Sequence, residues 1–223
     1  MKKIIRVILL CLIPVCSLFA QNSDCTRTTK FGKAEICLPV VDGYQECYTH
    51  PTVKEIADNT EAPMNMVLGY YLNDQIFEKK DSLGLISFDD FWKVYGTKQI
   101  MDMEADAKML KEMDDMMATN FMTKNWESIK SGVGELELGV EIGTPVVIEN
   151  YNLNNNSFTL IMLIDYEVEG VEPFTMAMSA NGFLISDRMV WMAYYLNYKN
   201  QETIQKLKDN SNRILAKLSD STK

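Results

Sequence analysis

Apolar residues recur along this chain at different periods, and each period predicts a different element. Residues 31–38 carry a first strand, closed by Pro39 and the Asp42-Gly43 turn signal. Residues 51–59 suit a short helix with Pro51 at its first position, where a missing N–H costs nothing. Met66, Val67, Leu68, Tyr70, Tyr71 and Leu72 are apolar on both faces, as in a central strand covered on each side. Residues 75–83 hold a helical turn, and residues 88–95 bring the strand formers Phe91, Trp92, Val94 and Tyr95.

The longest helical pattern spans 101–130. Met103, Ala107, Leu110, Met113, Met117, Phe121 and Ile129 form one stripe at three- or four-residue steps. Glu104, Lys108, Glu112 and Asp115 lie opposite, a break falls near Asn120, and Gly132, Gly134 and Gly139 end the helical region. From Thr144 the pattern changes to strands. Residues 146–148 lead through a turn at 152–156 into residues 158–168, where Phe158, Leu160, Met162, Ile164 and Tyr166 share a face. Strands follow at 174–180 and 189–196, with Asn181-Gly182 marking a bulge or hairpin. A last helix over 201–218 is capped by Asn200 and turns Ile204, Leu207, Ile214, Leu215 and Leu218 inward.

Runs of strands interrupted by one long helix and closed by another predict an α+β fold. The expected architecture is an antiparallel sheet of about six strands with helices on both faces, an α/β/α sandwich. No Pro/Ser-rich linker, repeat or low-complexity block divides residues 21–223, which are expected to form one domain. The order of elements resembles the PsbP-like sandwich found in small secreted bacterial proteins and lipoproteins. The residues concerned are Ala34-Glu35-Ile36-Cys37-Leu38-Pro39 before a Gly-Tyr turn, the apolar strand at 67–72, an aromatic strand ending Lys93-Val94-Tyr95, and a terminal helix after Trp191-Met192-Ala193-Tyr194-Tyr195. That resemblance implies a non-enzymatic accessory or assembly factor and transfers no functional residue.

The first residues set the compartment. Lys2, Lys3 and Arg6 give a basic n-region, residues 4–15 supply an apolar h-region, and Ser17-Leu18-Phe19-Ala20 offers a cleavage site. This is the pattern of a secretory signal peptide over 1–20, and it predicts a periplasmic or secreted protein cleaved near Ala20. A lipid anchor at Cys16 is the less favoured alternative, because Val15 stands where a lipobox has Gly, Ala or Ser. No later segment approaches the ~20 apolar residues of a membrane-crossing helix. The chain carries 22 basic and 31 acidic residues, a formal −9. Without 1–20 the balance is 19 against 31, or −12, which argues against nucleic acid as a partner.

Candidate chemistry is sparse, and no cofactor motif is present. Cys25, Cys37 and Cys47 remain after the leader, so one disulfide among the three is expected in an oxidising compartment, with one thiol over. Cys47 and His50, the only histidine, are the one nucleophile–base pairing available by proximity, a hydrolase alternative that lacks any visible orienting group. Seven methionines between 101 and 122 admit soft-metal handling, copper above all, yet thioethers also serve as adaptable core filler. The remaining use for them is a groove formed by Met109, Met113, Met116 and Met117 with Tyr194 and Tyr195. The expected function is a non-enzymatic envelope protein that binds an unknown protein partner or a small apolar ligand.

Overall fold

The computed structural model describes residues 25–80, 89–118, 121–127 and 140–220. The leader, the helix break near Asn120 and the glycine-rich end of the helical stretch lie outside them.

Two strands, β1 (Cys25–Phe31) and β2 (Ala34–Pro39), pair as an antiparallel hairpin apart from the main sheet. The single strand expected at 31–38 is therefore corrected. Gly32 adopts φ +57, and a Cβ there would meet the Met101 carbonyl oxygen at 2.1 Å, so the chain turns where only glycine fits.

The main sheet has eight strands, where about six were expected. They are β3 (Tyr44–Glu46), β4 (Asn65–Asn73), β5 (Asp90–Thr97), β6 (Val140–Ile142), β7 (Val146–Asn154), β8 (Ser157–Val168), β9 (Phe174–Ile185) and β10 (Arg188–Asn197). Their spatial order is β3-β4-β5-β10-β9-β8-β6, with β7 also paired to β8, and every pair is antiparallel. β6 and β7 share one edge of β8: β6 takes Tyr166 to Val168, and β7 takes Ser157 to Leu163. Strands of three residues, as β3 and β6 are, carry too little alternation to be read.

Layers cover both faces. Helix α1 (Pro51–Asn59) packs on Val67, Tyr70 and Leu72 of β4, while Leu68 and Tyr71 of the same strand face the hairpin. Helix α2 (Asp74–Phe77) follows β4 directly, with the Asn73 side chain accepting the Gln75 N–H. Helix α3 (Ala107–Ala118) lies against Phe158, Leu160 and Met162 on the α1 side. Helix α5 (Gln201–Asp220) covers the hairpin side with Ile204, Leu207, Ile214, Leu215 and Leu218, each at most 4% exposed. Burying a Leu or Ile of this kind contributes about 1.5–3 kcal/mol, so the double-sided layers supply the main driving force.

The helix expected over 101–130 is shorter. It is replaced by α3 and a four-residue helix, α4 (Phe121–Lys124). Asp106 explains the late start: its carboxylate accepts the Met109 N–H at 2.8 Å, the geometry of an N-cap. The segment before it is drawn to the β9–β10 turn, where the Ala105 N–H bonds the Asp187 carbonyl at 2.9 Å. That turn is not at Asn181-Gly182, which lies inside β9 opposite Met192 and Trp191. It is at Ser186 and Asp187, whose φ values of 46° and 56° suit a two-residue primed turn.

Candidate functional site

The residues expected to line an apolar groove do not all share one face of the sheet. Met109, Met113 and Met117 pack onto the Phe158–Leu160–Met162 face, whereas Met116 is 37% exposed. Tyr194 is buried on the opposite side of the sheet among Trp92, Met192 and the α5 side chains. Tyr195 returns to the α1 and α3 side, stacked on Phe91 with centroids 4.6 Å apart. Adjacent residues of a strand point to opposite faces, so the sheet itself divides the expected groove.

Of the three cysteines, Cys25 and Cys37 form the disulfide, tying β1 to β2 with Cα atoms 5.5 Å apart. Cys47 is reduced and 3% exposed, and its thiol donates to the Tyr70 carbonyl at 3.3 Å. Burial, reinforced by the neighbouring Glu46 carboxylate, pushes that thiol up to about 12. A thiolate is therefore scarce at neutral pH, and the link from Cys47 to His50 is a backbone hydrogen bond of 2.9 Å from the His50 N–H to the Cys47 carbonyl. This geometry gives the Cys47–His50 pairing no activated nucleophile. Among the described residues no group of three or more His, Cys, Asp or Glu is placed to hold a metal. Met109, Met113 and Met117, three of the sulfurs named for the copper alternative, are half-buried against the Phe158–Leu160–Met162 cluster.

The fold instead builds an open polar depression of about 710 Å³ where β4, α2, β5, β10 and the start of α5 converge. Asn73, Gln75 and Ile76 form the wall from β4 and α2, and Asp89 and Asp90 come from the entry to β5. Leu196 and Asn197 end β10, and α5 with its approach contributes Lys199, Asn200, Glu202, Thr203 and Lys206. Sequence alone passes over this convergence, since its members lie far apart along the chain.

A hydrogen-bonded cluster stands behind the lining. Asp90 Oδ1 accepts the Tyr44 hydroxyl at 2.7 Å and the Tyr194 hydroxyl at 3.2 Å, and the two phenols lie 2.8 Å from each other. Asn210 Nδ2 donates to the Tyr194 oxygen at 3.0 Å, and Lys206 Nζ reaches Asp90 Oδ2 at 3.1 Å. Burial raises both phenols well above the ordinary tyrosine range, with the other phenol and Asp90 adding to Tyr44 and Asp90 to Tyr194. They act as fixed donors that orient Asp90, and Tyr194 thus reaches the depression from behind, as a support. The start of α5 is built in too: Asn200 Oδ1 accepts the Glu202 N–H at 3.0 Å and the Thr203 N–H at 3.3 Å. Carboxylates, carboxamides and ammonium groups face a common space, an arrangement suited to holding a polar group.

The sequence matches no family model and no curated protein. Among solved structures the chain is similar to the Ran-binding protein Mog1p of Saccharomyces cerevisiae, at 10% identity and a TM-score of 0.34, over 86% of this chain and 92% of that chain. It is similar to a point mutant of protein Mog1 at the same identity and TM-score, over 86% of this chain and 93% of that one.

Proposed function

We propose that this chain is an exported, non-enzymatic accessory protein of the bacterial cell envelope that docks a protein partner at the polar depression. The observation that carries the reading is the depression itself, with polar groups from five elements facing one open space over a floor held by Tyr44, Tyr194 and Lys206. Its lining favours a polar partner surface over the small apolar ligand that the methionines suggested. The signal-peptide pattern supports the envelope address, as does the Cys25–Cys37 disulfide, since such bonds persist in oxidising compartments. The PsbP-like order of elements belongs to the same reading and supports an assembly or accessory role.

The test is fractionation followed by affinity capture from the envelope fraction, with wild-type protein and a Gln75→Trp variant. Gln75 is exposed and lines the depression, so a bulky ring there blocks it without touching the core. A partner retained by the wild type and lost by the variant is the expected outcome. Equal retention by both removes the depression as the docking site, and a cytoplasmic distribution removes the envelope address.

A further inference from the structure

We propose that the depression takes a basic segment of a polypeptide, holding a lysine ammonium or arginine guanidinium against the carboxylates of Asp89 and Glu202. This rests on the depression being the binding site, and it names the chemistry of what binds there.

The charges of the lining are not equally available. Asp90 is satisfied from within the protein by two phenols and Lys206, and Lys206 is held there in turn. Asp89 and Glu202 are exposed and form no ion pair among the described residues. Lys199 stands as the single cation set against those two acids. An anion is disfavoured at the same place. A bare helix N-terminus attracts anions, but here Asn200 already occupies the Glu202 and Thr203 N–H groups, and the Glu202 carboxylate lies in the first turn. At longer range the formal charge of −9 draws cations toward the surface and slows the approach of anions.

The occupant is a polypeptide because of the uncharged groups. Gln75 and Asn197 are carboxamides that pair with the N–H and C=O groups flanking a basic side chain, while Asn73 and Asn200, whose Oδ1 atoms accept N–H groups of the chain itself, add their NH2 donors for a peptide carbonyl. A free ammonium supplies donors alone and leaves the carboxamide N–H groups without an acceptor. The depression is open to solvent, so a side chain enters it from a partner's surface without any rearrangement of the wall.

The experiment titrates the protein at low ionic strength with a capped peptide of alternating glycine and lysine, followed by amide chemical shifts. The expected result is shifts at Asn197, Glu202 and Thr203, and binding that weakens as salt is added. Asp89→Asn combined with Glu202→Gln is expected to weaken the peptide about tenfold, two exposed charge contacts of ordinary strength being lost. The unfolding midpoint should hold nearly constant, because both side chains are exposed. Equal binding by the double variant overturns the proposal, as does tighter binding of a glycine–glutamate peptide. n-Butylamine binding as tightly as the lysine peptide overturns the polypeptide assignment. These titrations fail separately from the envelope capture: a partner captured through the depression without a basic segment leaves the docking role standing and removes this ligand class.

Discussion

Asn181 is fully buried, yet each polar atom of its side chain is met. Its Oδ1 accepts the Thr159 hydroxyl at 2.7 Å and the Ser211 hydroxyl at 3.1 Å, and its Nδ2 donates to the Met192 carbonyl at 3.0 Å. Ser179 joins through its hydroxyl, 3.0 Å from Ser211, so β8, β9, β10 and α5 meet in one satisfied polar network. Truncation leaves several of these groups unpaired in a dry interior. Asn181→Ala is expected to cost about 2–4 kcal/mol in urea unfolding. Its neighbour Gly182 has a different reason: an added Cβ would lie 2.5 Å from the Phe158 ring, itself packed edge-on to Trp191. An Asn-Gly pair expected to mark a bulge or hairpin thus answers two separate demands of the interior.

At the scale of elements, α5 illustrates a helix whose start matters twice. The Asn200 cap satisfies first-turn N–H groups and also shapes one wall of the depression. Asn200→Ala is expected to lower stability by about 1 kcal/mol, measured by chemical denaturation, and Asn200→Gly by only a few tenths. Strand β7 poses the opposite problem, an edge with Val146, Ile148 and Leu153 at 58%, 45% and 39% exposure. Pro145 before it and irregularities in its pairing near Ile148 and Asn152 break the regular edge on which another strand would pair. Asp114 of α3 secures the strand from one face by accepting Asn150 Nδ2 at 3.0 Å and Asn152 Nδ2 at 3.1 Å.

For the molecule as a whole, burial of neutral hydroxyls and a thiol makes stability depend on alkaline pH. Cys47 rises from an ordinary 9.0 to about 12, and Tyr44, Tyr70 and Tyr194 stand well above 10.0, with desolvation the largest cause in each. These groups ionise first in the unfolded chain, so above those ordinary values the native state holds more protons. Their contribution is complete below the unfolded values and is lost as pH rises through them toward the folded ones. Urea midpoints are expected to change little on this account up to about pH 9 and to fall by about pH 10.5. A midpoint that rises over that interval contradicts the assignment.

Much of the framework was legible in the order of residues because period and capping are local properties. The double-sided apolar strand at β4, the apolar run of β8, and α5 with its Asn200 cap all announce themselves within a few residues. The short strands β3 and β6 and the polar strand β1 did not, because they hold too few buried positions to impose a period. The disulfide partner was also beyond reach, since Cys25, Cys37 and Cys47 are equivalent until the hairpin brings two of them to 5.5 Å. Above all, the depression belongs to the tertiary structure. Asp89, Asn197 and Glu202 become neighbours only when β5, β10 and α5 converge, while Tyr194 and Tyr195, adjacent in sequence, are parted by the sheet between them. Local sequence determined which segments become strand or helix; the packing of both sheet faces decided which side chains share a site.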